Sequence, residues 1–498
     1  MKVIDCHAHP RPDANYFESF DRFFKHMCMH NIEQMIISDL GDKWQAFPDS
    51  ATVRTANERV KEACATTGGR VHYLVYLNPQ LDDWREEFER HRHSAVGVKL
   101  WVSLRKDGDR SLDRSVEVLE YAAKCDMPVL IHAFDRTDGL TSGSVGIDGI
   151  IELGRRVPQC IIVAAHICGS WRRTIKRAAD FPENVVFDLS GGYPERTEVE
   201  RLLEAFGSKR LLYGSDAPGR SFASQMHKVL GSAMSDSEQY DILYENSRRI
   251  FKLKSLDALP PADSLFKWSC GDLQEDHFCF CGESPWFDHR ISVAELAEKM
   301  HSAGVKRAYA VSLNAASVTD NAAENKRFLE ESSTFDCIKP LKAVDLRNMA
   351  QALDMLENMD GFAGVWVSPY LHNYQLDAPE YKVFFERCAE LNIVVWINTT
   401  VSDDRFRCRD LVRRCVTNAE ILAFGKTAPE NKYILQGIGD HQRMAAELPE
   451  YFLLEYSHLS DGEYLAEDYT GEPERLLRGS EYPFRSIDAV DNVLQGVF

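Results

Sequence analysis

No stretch of this 498-residue sequence approaches the length of a membrane span, and no block of lysine and arginine interrupts a chain whose net charge is −19. The first absence argues against a membrane-spanning helix. The second argues against nucleic acid or an anionic membrane surface as the main partner. The charged, apolar and small-residue segments of a secretion signal are missing at the N-terminus, where a strand-like run begins within three residues. The 13 cysteines are odd in number, form no CxxC pair and occur in a chain long enough to do without staples. They are expected to be reduced thiols of a cytoplasmic protein.

What is present is ordinary globular composition, 44% apolar and 27% charged, in a length that suits two barrel-sized domains. Eight short β-like runs lie between Met1 and about Leu253: VIDCHAH, QMIISD, VHYLVYL, AVGVKLW, MPVLIHA, IIVAAH, VVFDLSG and LLYGSD. Stretches of helical period such as SLDRSVEVLEYAAKC separate them. Eight alternations of strand and helix in about 250 residues predict an α/β fold, a (β/α)8 TIM barrel. The segment LKSLDALPPADSLFKWSCGD has a Pro-Pro pair and no clear period, so it reads as a linker. The expected division is a catalytic barrel over 1–253, a linker over 254–272 and a second barrel over 273–498.

Beyond the linker the plan starts again. AGVWVSPYLHNYQLDAPEYKVFFERCAELNIVVWINT answers VGVKLWVSLRKDGDRSLDRSVEVLEYAAKCDMPVLIHA, and PERLLRGSEYPFRS answers SKRLLYGSDAPGRS. Trp366 stands 267 residues after Lys99, Asn398 266 after His132, and Glu481 265 after Asp216. A near-constant offset over separate segments predicts an internal duplication. The second copy loses the chemistry: Asn398 replaces His132, Trp366 replaces Lys99, Glu481 replaces Asp216, and His166 falls near Ile438. In the opening motif, Phe278 and Phe280 stand where the first copy has His7 and His9. The second barrel is therefore expected to lack metal ligands and to serve the first as an intramolecular partner.

Active sites in such barrels lie at the C-terminal ends of the strands. His7 and His9 end the first run, two apart and so on one face; His132 ends the fifth, His166 the sixth and Asp216 the eighth. A single histidine at a strand end is ordinarily a satisfied polar group. Five metal-capable groups at one rim make a candidate metal site. Imidazole and carboxylate ligands suit zinc and, less selectively, manganese, iron or cobalt.

The motifs HAH, GVKLW, LIHA, AAHICG, YGSDAP and ENSRRIF, in this order, resemble the amidohydrolase superfamily. Within it they are similar to the amidohydrolase-2 branch of aminocarboxymuconate-semialdehyde decarboxylase-like metal-dependent hydrolases. The resemblance covers residues 1–253 closely and the remainder as a degenerate copy. It implies that His7, His9, His132 and Asp216 hold one divalent ion, with zinc first in preference, and that His166 sits beside the bound water or the substrate. On that reading Asp216 takes a proton from the water and passes it to the leaving group, while His166 orients or protonates the developing oxyanion. Lys99 has two readings: a carboxylated bridge between two metals, as in some branches, or a cation that meets an anionic substrate in a one-metal site.

Arg11, Arg136, Arg172 and Arg220 follow strands one, five, six and eight and are candidates to bind a substrate carboxylate at the rim. Trp44, Trp101 and Trp171 also follow strands and are candidates for an apolar wall, with Trp101 assigned to substrate binding. Arg177 lies where family members that dimerise often offer an arginine to a neighbour's site. In Cys270, His277, Cys279 and Cys281 the alternation HFCFC reads as a buried strand before it reads as a metal site. His91 and His93 precede strand four and belong to the opposite rim. The leading function is a metal-dependent hydrolase acting on a C–N or ester-like bond of a small, carboxylate-bearing molecule. The alternatives are a metal-dependent nonoxidative decarboxylase and a non-catalytic binding protein with a relic site. No partner other than the substrate and the second barrel is implied, and further homo-oligomers are left open.

Overall fold

The computed structural model describes residues 2–11, 14–42, 48–101, 112–135, 145–192, 194–256, 274–285, 287–318, 321–401, 416–458 and 462–489. Each of the eight apolar runs forms a strand: β1 (Ile4–Ala8), β2 (Gln34–Ile37), β3 (Val71–Leu77), β4 (Gly97–Leu100), β5 (Val129–Ile131), β6 (Ile162–Ala164), β7 (Val185–Asp188) and β8 (Leu211–Leu212). They pair in parallel and in sequence order. Parallel neighbours need crossovers, which the helices supply. Cys6 N donates to Tyr213 O at 3.0 Å and Asp216 N to His7 O at 2.7 Å, bringing the first strand against the chain that leaves the last. The result is a (β/α)8 barrel.

The crossover helices form for local reasons. In Asp113–Lys124 the buried residues Val116, Val118, Leu119 and Ala122, with Ser115 beside them, make one inward stripe. Asp49 caps Ser50–Ala65 by accepting from Thr52 N. A buried cluster of Ile4, Cys6, Ile36, Leu74, Leu130, Val163, Val186 and Leu212 joins seven of the strands. That cluster leaves the polar strand ends as the rim.

The chain divides into two compact units, Met1–Gly192 with Thr197–Lys267, and Tyr193–Arg196 with Trp268–Phe498. Residues 257–272, most of the expected linker, lie outside the described residues. The second unit contains β9 (Glu275–Ser284), β10 (Phe287–Ile291), β11 (Arg307–Ser312), β12 (Ile338–Val344), β13 (Gly364–Val367), β14 (Val395–Asn398), β15 (Tyr433–Gln436), β16 (Phe452–Glu455) and β17 (Leu476–Leu477). β10 turns back antiparallel on β9, and the other eight run parallel in sequence order. A parallel bridge between Cys279 and Tyr482 joins the first strand to the chain beyond the last. Phe278, Phe280, Trp366, Tyr370, Trp396 and Phe484 pack in one buried cluster of this unit.

The units share internal details that a barrel does not require. Asp5 Oδ1 accepts from His7 N at 3.1 Å and Ser215 N at 3.0 Å. Asp276 Oδ1 accepts from Phe278 N at 3.0 Å and Ser480 N at 3.0 Å. Asn57 spans the backbone of Tyr76 through both its amide atoms, as Asn325 does for Ala343. Asp216 and Glu481 each take the left-handed backbone conformation, at φ 60° and 52°.

Candidate metal centre

His7, in β1, and His9, the residue just beyond it, bring their rings together. His7 Nε2 and His9 Nε2 are 3.1 Å apart, and Asp216 Oδ1 lies 3.6 Å from the second and 4.0 Å from the first. Asp216 is set there by its left-handed turn, held by the bond from its N–H to His7 O. The other face of each ring fixes its tautomer. His9 Nδ1 donates to Ser38 O at 2.7 Å, and His7 Nδ1 donates to Asp188 Oδ2 at 2.9 Å. Carbonyl and carboxylate oxygens only accept, so both Nδ1 atoms carry the proton and both Nε2 atoms present lone pairs. Two lone pairs and a carboxylate oxygen converging on one point repel one another unless a cation stands between them. This donor set fits a divalent ion.

His166 and His132 extend the arrangement. His166 begins a run of three left-handed residues, His166, Ile167 and Cys168. Its Nδ1 lies 3.3 Å from Ser190 O and 3.0 Å from Ser190 Oγ, and its Nε2 lies 3.2 Å from His132 Nδ1. With the Ser190 carbonyl as acceptor, His166 Nε2 accepts from His132 Nδ1, and His132 Nε2 keeps its lone pair. His132 is thereby in the same ligand-ready tautomer as His7 and His9. The Trp101 ring lies 4.8 Å from the His132 ring. Gly191 permits the approach of His166: a Cβ there would fall 2.4 Å from its Nδ1.

Burial pushes the pKa of His7, His9 and His166 well below the ordinary value, so all three rings are neutral at neutral pH, as ligation requires. Lys99, on β4, is 1% exposed, and its Nζ lies 2.7 Å from His7 Nε2. Burial lowers its pKa to about 8, against the upward pull of Asp216 and Asp188. Burial likewise raises Asp5 to about 7, opposed by its bonds from Ser215 and His7 N.

A second group of ligand-type atoms, on His7, His166 and Asp188, also lies within 4.8 Å of one another. Here the Nδ1 protons already point at Asp188 and Ser190, which makes this side a hydrogen-bonded support. Neither Asp188 nor Ser190 stood out in the sequence; the signal available was a polar residue ending the apolar run VVFDLSG, the position that His132 and His166 take in theirs.

The rim arginines divide. Arg136 lies outside the described residues, as does Trp44. Arg220 donates from Nε to Gly192 O at 2.8 Å and from a terminal nitrogen to Gly219 O at 2.6 Å, so it braces two loops. Arg172 stacks on Trp171 at 4.2 Å, and Arg11 follows β1 half-buried. Arg177 is paired within the chain to Asp180 at 2.5 Å and Asp148 at 2.8 Å. Cys279 and Cys281 pack among Ile291, Leu296 and Ala308, and His277 stacks on Tyr309 with ring centres 4.7 Å apart. His91 is bonded to Tyr73 Oη at 2.9 Å. The described cysteines are free thiols, and no described helix is long and apolar enough to cross a membrane.

A parallel eight-stranded barrel with imidazoles and carboxylates gathered where its strands end has the plan of a metal-assisted barrel enzyme. The profile of the amidohydrolase family matches residues 4–253, half of the chain, and the chain belongs to that family. None of the curated proteins matches it. Similar solved structures include 2,6-dihydroxybenzoate decarboxylase from Rhizobium, 19% identical over 51% of this chain and 99% of that one, with a TM-score of 0.43. Dihydroxybenzoic acid decarboxylase from Polaromonas, with bound manganese and an inhibitor, is 18% identical over 50% and 97% of the two chains, TM-score 0.40. 5-Carboxyvanillate decarboxylase from Sphingomonas paucimobilis is 15% identical over 51% and 99%, TM-score 0.40.

Proposed function

We propose that the chain is a metal-dependent hydrolase cleaving a C–N or ester-like bond of a small, carboxylate-bearing molecule. One observation carries the reading: Nε2 of buried His7 and Nε2 of buried His9 lie 3.1 Å apart, and Oδ1 of the half-buried Asp216 stands 3.6 Å from the second. His7, His9, His132 and Asp216 would hold the ion, for which zinc is the first choice and manganese, iron and cobalt are the others. When bound, it supplies a Lewis acid and a water that ionises near neutral pH.

The chain's own residues supply the rest. Asp216 accepts the proton of the attacking water on a carboxylate oxygen and returns it to the leaving atom. His166, bonded through both nitrogens to Ser190 and His132, serves to hold His132, a role its hydrogen bonds favour over that of proton donor. Lys99, in contact with His7, belongs to the charge balance of the centre. Trp101 forms an aromatic wall beside His132. Arg11, Arg136 and Arg172 are the proposed anchors for the substrate carboxylate.

The second unit is proposed to be a duplicated, metal-free barrel. The near-constant offset, the paired Asp5 and Asp276 bonds and the paired Asn57 and Asn325 bonds support this. Where the first unit gathers histidines, this one packs Phe278 and Phe280 beside Trp366. Its Glu481 is answered from within, by Arg485 Nε at 2.5 Å and His458 Nε2 at 2.8 Å.

The test is turnover by the full chain, reconstituted with zinc or manganese, on a panel of carboxylate-bearing amides, lactones and esters. Amine, ammonia or acid release that a chelator abolishes supports the hydrolase. Carbon dioxide release from carboxylic acids, without hydrolysis of any panel member, replaces it with the decarboxylase.

A further inference from the structure

The geometry points to Asp188 and Ser190 as positioning residues that set the proton of the first metal ligand. This rests on the metal-centre reading above and adds residues that touch no ion in it. The two oxygens of Asp188 have different tasks. Oδ1 accepts from Ser190 N at 2.7 Å and holds the turn, while Oδ2 accepts from His7 Nδ1 at 2.9 Å. Ser190 Oγ lies 3.0 Å from His7 Nδ1 and 3.0 Å from His166 Nδ1, and so connects the two rings. Asp188 is fully buried and Ser190 nearly so, which makes each acceptor costly to leave unused.

The second unit separates the tasks. Glu455 ends β16 as Asp188 ends β7, and it still holds its turn, accepting from Ser457 N at 2.5 Å and Ser457 Oγ at 3.0 Å. Phe278 stands there in the place of His7 by the sequence match, and among the described residues that carboxyl accepts from Ser457 and from Gly437 N and from no imidazole. A turn-holding carboxyl therefore persists without a histidine. In the first unit the Oδ2 contact is an addition to the turn, and its effect is on the imidazole.

An isosteric change isolates that effect. In Asp188→Asn the amide oxygen keeps the bond from Ser190 N, which directs the NH2 group at His7 Nδ1. A donor there forces the His7 proton from Nδ1 to Nε2 and removes the lone pair that faces His9 and Asp216. Loss of outer support for a metal ligand typically lowers affinity about 10–100-fold. A merely structural role predicts no such loss, because the turn is retained.

The experiment measures zinc affinity by chelator competition on the full chain and on Asp188→Asn, with thermal unfolding of both metal-free proteins. The expected result is at least a tenfold weaker affinity with the metal-free midpoint within a few degrees. Wild-type affinity in Asp188→Asn would overturn the inference. Should that variant fail to fold, nitrogen-15 histidine spectra of the metal-free wild-type chain decide: His7 protonated on Nδ1 supports the assignment, and on Nε2 overturns it. A wild-type chain that takes up no metal defeats the metal-centre reading itself, and this inference with it.

Discussion

Replacing Lys99 by methionine should tighten metal binding at neutral pH. The ammonium is buried and its Nζ lies 2.7 Å from His7 Nε2, the atom a metal would take. Burial lowers its pKa from 10.5 to about 8. At pH 7 such a group is roughly ten parts charged to one part neutral. A divalent ion on His7 repels the ammonium at short range, so the lysine gives up its proton as the metal enters. That costs about 1.4 kcal/mol at pH 7, a tenfold loss of affinity, and nearly nothing above about pH 9. His7 and His9 stay neutral throughout this window and do not compete. The wild-type affinity for zinc should rise toward tenfold per pH unit below about pH 8 and then flatten. Lys99→Met should bind about tenfold tighter at pH 7 and lose this part of the slope. Chelator competition between about pH 6.5 and 9, corrected for the chelator's own protonation, reads both quantities. Equal affinity and equal slope in the two proteins would refute the reasoning.

Trp366→Phe should destabilise the second unit by about 1–3 kcal/mol in urea unfolding, because Gln436 Oε1, which accepts from the indole at 2.9 Å, is left buried without its donor. Glu455→Gln should gain stability over wild type as pH rises. Burial raises the Glu455 pKa to about 8, so the fold disfavours its ionised form, and wild-type stability is lost between the unfolded value near 4.5 and about 8 while the amide has nothing to ionise. Parallel curves from about pH 5 to 8 would contradict this. Gly191→Ala, at φ 75° with its new Cβ 2.4 Å from His166 Nδ1, should cost about 1–3 kcal/mol and weaken metal binding by shifting the ring that holds His132. An unchanged unfolding midpoint would count against that close approach.

The barrel and the facing pair His7 and His9 were legible because strand periodicity fixes which side chains share a face. Asp216 was legible for a similar reason: it closes the last β-like run of the first unit, in a left-handed turn that Glu481 also takes in the second unit. What stayed hidden depends on contacts between distant positions. Asp188 is 181 residues from His7, and no spacing rule announces that a strand-end carboxylate reaches across to the first strand. The pairing of His132 with His166 depends on a left-handed turn over three non-glycine residues, which no local preference favours. Arg220 and Arg177 carried charge in the sequence but not its destination. The structure ties the first to backbone carbonyls and the second to Asp148 and Asp180.

The most direct test of the central claim is metal content per chain, by plasma mass spectrometry, on protein purified without chelator or added metal and again after metal is offered. The account predicts close to one zinc, manganese, iron or cobalt ion per wild-type chain and close to none in a His7→Ala, His9→Ala double variant that still folds. A wild-type chain that stays metal-free when metal is offered, or a double variant that retains the full complement, would contradict it.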